Sequence, residues 1–199
     1  MQGPAGLEVS LRTAWVFDLD GTLTVPVHDF DAIRAELGLP AGRPILEELA
    51  RLTPIEAEPK RAQLDLLERE LALAATPASG AVELIGALAG RPVRLGIVTR
   101  NSRANARLTL DAIGVGHWFR DEDVLGRGEA RPKPHPAGLL DLLTRWEAQP
   151  SEAVMVGDDR FDLEAGRAAG VATVHVDAGG GRAWPALTDL HARTLSELL

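Results

Sequence analysis

The stretch Ala14-Trp15-Val16-Phe17-Asp18-Leu19-Asp20-Gly21-Thr22 passes from unbroken apolar to densely polar in a single step. An apolar run of four residues that stops so abruptly is the pattern of a strand buried on both faces of a parallel sheet. Its carboxyl end then opens on two carboxylates separated by one residue. The same pattern recurs along the chain. Residues 94–98 (RLGIV) end in Thr99-Arg100-Asn101, residues 153–156 (AVMV) in Gly157-Asp158-Asp159, and residues 172–176 (ATVHV) in Asp177. Val124-Leu125 reads as a further short strand. Helical patterns fill the gaps at 81–89, 103–113, 137–146 and 163–169, and Gly90, Gly114 and Gly170 stand where helices are commonly terminated. Strands alternating with helices predict an α/β fold: a Rossmann-like, three-layer α/β/α core around a parallel sheet.

Residues 25–78 break this rhythm, because they read as helices alone, at 30–37, 44–52 and 55–75. Phe30, Ile33 and Leu37 share one helical face. A single crossover between parallel strands usually needs one helix rather than three. The segment is therefore expected to be a small all-helical cap inserted after the first strand, with residues 1–24 and 79–199 forming the core domain.

Composition narrows the function classes. The chain has 199 residues, 45% hydrophobic and 25% charged, enough for a core domain with a small insertion. A formal net charge of −8 gives non-specific nucleic-acid binding no electrostatic support. Arginines at 91, 94, 100, 103 and 107 form a local basic cluster, read as a solvated helix face with the alternative that one or two meet an anionic substrate. The absence of cysteine excludes disulfides, thiolate metal sites and a cysteine nucleophile together. Residues 1–10 lack the pattern of a signal peptide, and no apolar run approaches the ~20 residues needed to cross a bilayer. A cytoplasmic monomer or homodimer, with neither nucleic acid nor membrane as partner, is the expectation.

In an open parallel sheet, ligands bind beyond the carboxyl ends of the strands. Those ends carry Asp18 and Asp20, Thr99, and Asp158 with Asp159 and Asp162; Lys133 lies in the stiff loop Arg131-Pro132-Lys133-Pro134 before a helix. A phosphate monoester is close to doubly negative, and like charges about 4 Å apart repel by about 4 kcal/mol even at an effective dielectric of about 20. A phosphate site that contains Asp18 and Asp158 therefore demands a cation. Oxygen donors with room for water and phosphate point to Mg²⁺, whereas the five histidines show no paired spacing for zinc. Lys133 supplies a second positive charge and Thr99 a neutral donor. Gly21 lets the backbone turn so that its amide approaches the phosphate. Within the pair, Asp18 is assigned as nucleophile, forming an aspartyl-phosphate, and Asp20 as general acid and then base.

These motifs resemble the haloacid dehalogenase-like (HAD) superfamily of phosphohydrolases. Asp18-Leu19-Asp20-Gly21-Thr22-Leu23-Thr24 is similar to its first motif and Thr99 to its second. Lys133 before proline is similar to its third, and Gly157-Asp158-Asp159-Arg160-Phe161-Asp162 to its fourth. The run 162–170 and the position of the insertion resemble the phosphoglycolate phosphatase-like branch. The resemblance implies that Mg²⁺ is held by the Asp18 side chain, the Asp20 backbone carbonyl and Asp158, with Asp159 and Asp162 behind them or acting through water. It also implies that Thr99, Asn101 and Lys133 contact phosphate, Asn101 largely through its backbone amide. The branch usually follows the first motif with Val-Asp-Ser, where this chain has Thr24-Val25-Pro26-Val27-His28, and the cap is short. Since the cap is expected to choose the substrate, a small phosphate monoester is implied, with phosphoglycolate one candidate. His28 and Arg43 are candidate substrate contacts, with surface residues of the cap as the plainer reading.

Other readings differ at particular residues. A dehalogenase of the superfamily replaces the second aspartate of the pair, so Asp20 argues against it. A sugar phosphomutase keeps every motif and differs only in what intercepts the phosphoenzyme. A signalling receiver domain also gathers aspartate, threonine and lysine around Mg²⁺, yet lacks an acid/base partner two residues on. A scaffold without turnover is argued against by the complete catalytic set.

Overall fold

A computed structural model describes residues 9–27, 29–177, 179–181 and 184–199. Ala14–Phe17 (β1) is buried at every position and pairs in parallel with two strands. The others are Arg94–Val98 (β2), Val124–Leu125 (β3), Ala153–Gly157 (β4), Ala172–Val176 (β5) and Leu190–Ala192 (β6). All pairs are parallel, and the order is β3-β2-β1-β4-β5-β6. The chain thus builds outward from β1 on one side through β2 and β3. It then returns to build outward on the other side through β4, β5 and β6. Strand order reverses between β1 and β4, which makes their carboxyl ends the expected ligand crevice. The edge strand β6 was not foreseen from the sequence: Leu190-His191-Ala192 is three residues with one of them buried.

Described helices are Phe30–Glu36 (α1), Ile45–Arg51 (α2), Pro54–Leu73 (α3), Ala81–Ala89 (α4), Arg103–Ala112 (α5), Ala137–Trp146 (α6) and Arg160–Ala169 (α7), beside short 3₁₀ turns. Because side chains alternate across a strand, β1 feeds both faces of the sheet. Trp15 and Phe17 share one apolar cluster with Leu84, Ile85 and Leu88 of α4 and Ala106 and Leu110 of α5. Ala14 and Val16 share the other with Leu139, Leu142 and Leu143 of α6 and Ala165 of α7. This is the expected Rossmann-like α/β/α sandwich. Helix α7 begins three residues before its sequence pattern suggested, because Asp159 caps it: its carboxylate accepts from Phe161 N at 3.0 Å.

The segment between β1 and α4 carries only α1, α2 and α3, and its two connections run side by side. Thr24 bridges antiparallel to Pro77, Val25 N donates to Thr76 O at 3.0 Å, and Ala78 N to Leu23 O at 2.9 Å. Ile33, Leu37, Ile45, Leu49 and Leu64 form an apolar cluster of their own. Helix α3 starts with Pro54 behind Thr53, whose hydroxyl lies 2.7 Å from the Glu56 carboxylate in a capping box. Among the described residues no helix is long and apolar enough to cross a membrane.

Candidate active site

Asp18 follows β1 directly, and its amide extends the ladder by donating to Val156 O at 2.9 Å. Asp158 follows β4, the neighbouring strand, so the order reversal brings the two carboxylates together. Carboxylate oxygens of Asp18, Asp158 and Asp162 all lie within 4.8 Å of one another. Lys133, 1% exposed, reaches into this group, 2.6 Å from Asp18 Oδ1 and 2.5 Å from Asp162 Oδ1. Three acids and one lysine leave a surplus of negative charge in a buried place. The carboxyl of Asp158 answers by rising to about 7, pushed by burial and then by the Asp18 charge, against the opposing Thr22 hydroxyl 2.9 Å away. Asp162 is likewise pushed well above the usual carboxylate range by burial and then by Asp18. Burial pulls on Lys133 in the opposite sense, but Asp162 and Asp18 outweigh it and hold the ammonium above its ordinary value.

A hard divalent cation fits this donor set. Every donor is a carboxylate oxygen, the surplus charge has the right sign, and the backbone folds tightly enough to bring Asp158 against the Asp18 loop. The tight fold rests on Gly21, at φ +89°, where a Cβ would lie 2.7 Å from Asp158 Oδ2. The Gly21 amide, expected from the sequence to approach phosphate, donates to Thr24 Oγ1 within its own loop at 3.2 Å.

Asp20 meets Asn101, whose Nδ2 donates to Asp20 Oδ2 at 3.3 Å. The Asn101 amide donates to Thr99 Oγ1 at 3.1 Å, and its Oδ1 accepts from Ser102 N at 2.8 Å, just before α5. Thr99 and Asn101 are both buried. Two acidic residues expected behind the metal differ in their placement. Asp162 is 1% exposed and stands with Asp18 and Asp158, one oxygen on Lys133 and the other accepting from Asp159 N at 3.0 Å. Asp159 is the helix cap described above.

One cavity of ≈ 510 Å³ joins this centre to the helical segment. Asp18, Asp20, Thr99, Asn101, Lys133 and Asp158 line its sheet side; Arg34, Arg43, Ile45, Leu64 and Glu68 line the other. Arg43 is therefore a cavity residue, and His28 lies outside the described residues. The basic cluster is not one helix face. Arg91 donates to Ser10 O, Arg94 opens β2, Arg103 donates to Val124 O, and Arg107 to Phe119 O. Only Arg100 of the five lines the cavity, because it alone stands in the loop after β2. Its guanidinium lies 4.5 Å over the Phe161 ring, donates to the Lys133 carbonyl, and reaches Glu47 of α2 at 2.7 Å. Arg127 makes a second crossing, 2.8 Å from Glu68 and 2.5 Å from Asp65, both on α3. The sequence contained no signal for these crossings, whose partners stand 53 to 62 residues apart. Burial pushes Glu68 up to about 7 in spite of Arg127.

The family model described as haloacid dehalogenase-like hydrolase matches residues 13–170. A haloacid dehalogenase-like hydrolase domain-containing protein of Arabidopsis thaliana is 34% identical, over 83% of this chain and 71% of its own. A phosphoglycolate phosphatase of Xanthomonas campestris is 33% identical over 81% of each chain. Among solved structures, a predicted phosphoglycolate phosphatase from Haemophilus somnus superposes with a TM-score of 0.76 at 22% identity, over 94% of this chain and 96% of that one.

Proposed function

This chain belongs to the haloacid dehalogenase-like hydrolases, and from that premise we propose that it is a Mg²⁺-dependent phosphatase of small-molecule phosphate monoesters, working through an aspartyl-phosphate on Asp18. One observation carries the reading: Asp18, Asp158, Asp162 and Lys133 converge where the strand order reverses. Asp18, Asp158 and the Asp20 backbone carbonyl would hold Mg²⁺, with Asp162 behind them. The ion, when bound, supplies positive charge against the phosphoryl oxygens.

The chain's own residues account for the rest. An Asp18 oxygen attacks phosphorus in line while the ester P–O bond breaks, and Asp20 protonates the departing oxygen. Asp20, now a carboxylate, takes a proton from water; the water oxygen attacks phosphorus, releasing phosphate and restoring Asp18. Lys133 holds the Asp18 carboxylate in position and opposes charge on the transferring group, the main demand in phosphoryl transfer. Asn101 orients Asp20 through its amide, and the Thr99 hydroxyl is a donor for a phosphate oxygen. Residues 25–78 act as a cap, a role supported by their own apolar cluster and the paired connections at Thr24 and Pro77. Phosphoglycolate is one candidate substrate, as the name of the Xanthomonas relative suggests, and the cytoplasm the proposed setting.

The test is steady-state hydrolysis of p-nitrophenyl phosphate. Activity is expected to vanish with a chelator and return with Mg²⁺. Asp18→Asn should lower kcat by roughly 10³-fold or more with the circular dichroism spectrum unchanged, and Asp20→Asn by roughly 10²- to 10⁴-fold. Near-normal turnover by folded Asp18→Asn protein would remove the nucleophile from this scheme.

A further inference from the structure

The cavity holds more cationic groups than a phosphate needs, and they come from both its sheet side and its helical side. Among the described lining residues the cations are Arg34, Arg43, Arg100 and Lys133. Lys133 serves Asp18 and Asp162, and Arg100 is tied to Glu47, Phe161 and the Lys133 carbonyl. Arg34, on α1, and Arg43, in the loop before α2, are held far less firmly.

Arg34 pairs at 2.5 Å with Asp31, whose side chain is 81% exposed, so water weakens that pair. Its Nη1 reaches the Arg43 carbonyl at 3.3 Å, and its Nε is buried with no hydrogen-bond partner. A buried donor left unsatisfied is unfavourable, which marks this guanidinium as not fully accommodated by the protein alone. Arg43 comes no closer than 3.7 Å to Glu48, which already holds Arg51 at 2.7 Å. The same side of the cavity is lined by the apolar Phe30, Ile45 and Leu64, with Glu68 as its acid, already paired with Arg127. An anion there would lose solvent and gain strongly from a planar guanidinium, whose parallel donors match a carboxylate or phosphate. The acids of the sheet side would repel an anion on that side. The sheet side of the cavity therefore suits the phosphoryl group with its metal, and the helical side, at Arg34 and Arg43, a second negative charge.

We propose that Arg34 and Arg43 form a second anion subsite, which receives an anionic oxyacid group carried by the leaving part of the substrate. The preferred esters then carry a carboxylate or a further phosphate a short distance from the phosphate that is cleaved. This inference rests on the phosphatase reading above and adds to it the class of ester selected.

Three esters of one skeleton decide it: 2-phosphoglycolate, ethylene glycol bisphosphate, and 2-hydroxyethyl phosphate, which has a neutral hydroxyl in place of the second anion. At least one anionic ester is expected to exceed the neutral one in kcat/KM by about 10- to 100-fold, the range of a charge-assisted hydrogen bond. Which of the two leads tells carboxylate from phosphate. Arg34→Gln and Arg43→Gln should each lower that ratio about tenfold, mainly through KM, and Arg34→Lys should lower it less. Arg43 is exposed, so its variant stays informative if Arg34→Gln does not fold. A ratio near one in the unaltered protein, or a ratio untouched by folded variants, overturns the subsite. Absence of turnover with every ester would instead sink the phosphatase reading. The same ratio, measured then as calorimetric affinity for Asp18→Asn protein in Mg²⁺, decides the subsite independently.

Discussion

Gly21 answers two demands at once. Its φ of +89° is one that side-chain-bearing residues adopt at a cost of roughly 1–2 kcal/mol, and the space a Cβ would need is held by the Asp158 carboxylate. Gly114 separates the two effects, since it has φ +78° but nothing within 4 Å of an added Cβ. Gly114→Ala is expected to lose roughly 1–2 kcal/mol in urea unfolding and to keep its Mg²⁺ response. Gly21→Ala should lose more stability than that and need a higher Mg²⁺ concentration for half-maximal turnover, because Asp158 must retreat. Equal Mg²⁺ responses in the two variants would mean that Asp158 is free to shift without consequence. At this scale, Asp18, Asp20, Thr99, Lys133 and Asp158 were legible in the sequence because each marks a strand end or a loop beside one. Asp162 was legible mainly as a fourth-motif acid, since nothing in a one-dimensional pattern tells which face of α7 meets Lys133.

Helices α2 and α3 meet the sheet's loops through arginines that come from those loops, not from the helical segment. Arg100 touches three segments at once: Glu47 on α2, the carbonyl of Lys133 and the ring of Phe161 on α7. Arg100 thereby joins α2 to the loop that carries Lys133 and to the first turn of α7. Glu47 and Arg100 are 42% and 22% exposed, so the pair is screened, and a double-mutant cycle with Glu47→Gln and Arg100→Gln should give a coupling of about 0.5–1 kcal/mol in urea unfolding. Additive losses would reduce Glu47–Arg100 to an incidental surface contact. The sequence patterns predicted the three helices of this segment within two residues at either end. They could not predict its contacts with the core, because charges on a helix face read as solvated until the fold supplies partners more than fifty positions away. The strand β6 escaped for a related reason: a three-residue edge strand with one buried residue has too short a period to recognise.

For the molecule as a whole, the junction between the helical segment and the sheet's loops is expected to make stability depend on pH through Glu68. This side chain is 12% exposed, lies 2.8 Å from Arg127, and also feels the negative charges of Asp20 and Asp65. Burial dominates, and the carboxyl titrates at about 7 rather than at the ordinary 4.5. Between those two values the folded chain keeps a proton that the unfolded chain has released. Stability from this group is therefore complete below about 4.5 and is lost as pH rises through about 7, with a slope of at most about 1.4 kcal/mol per pH unit. Asp158 and Asp162 tilt the profile in the same sense, so the slope of the unaltered protein alone would not identify Glu68. The difference from Glu68→Gln isolates it, because glutamine has no proton to lose. Urea unfolding of both proteins in chelator, at intervals from pH 5 to pH 8, should show the stability of the unaltered chain falling relative to the variant up to about pH 7 and then levelling. Parallel profiles would mean that Arg127 holds Glu68 ionised throughout, with the junction a fixed ion pair rather than a proton-linked one.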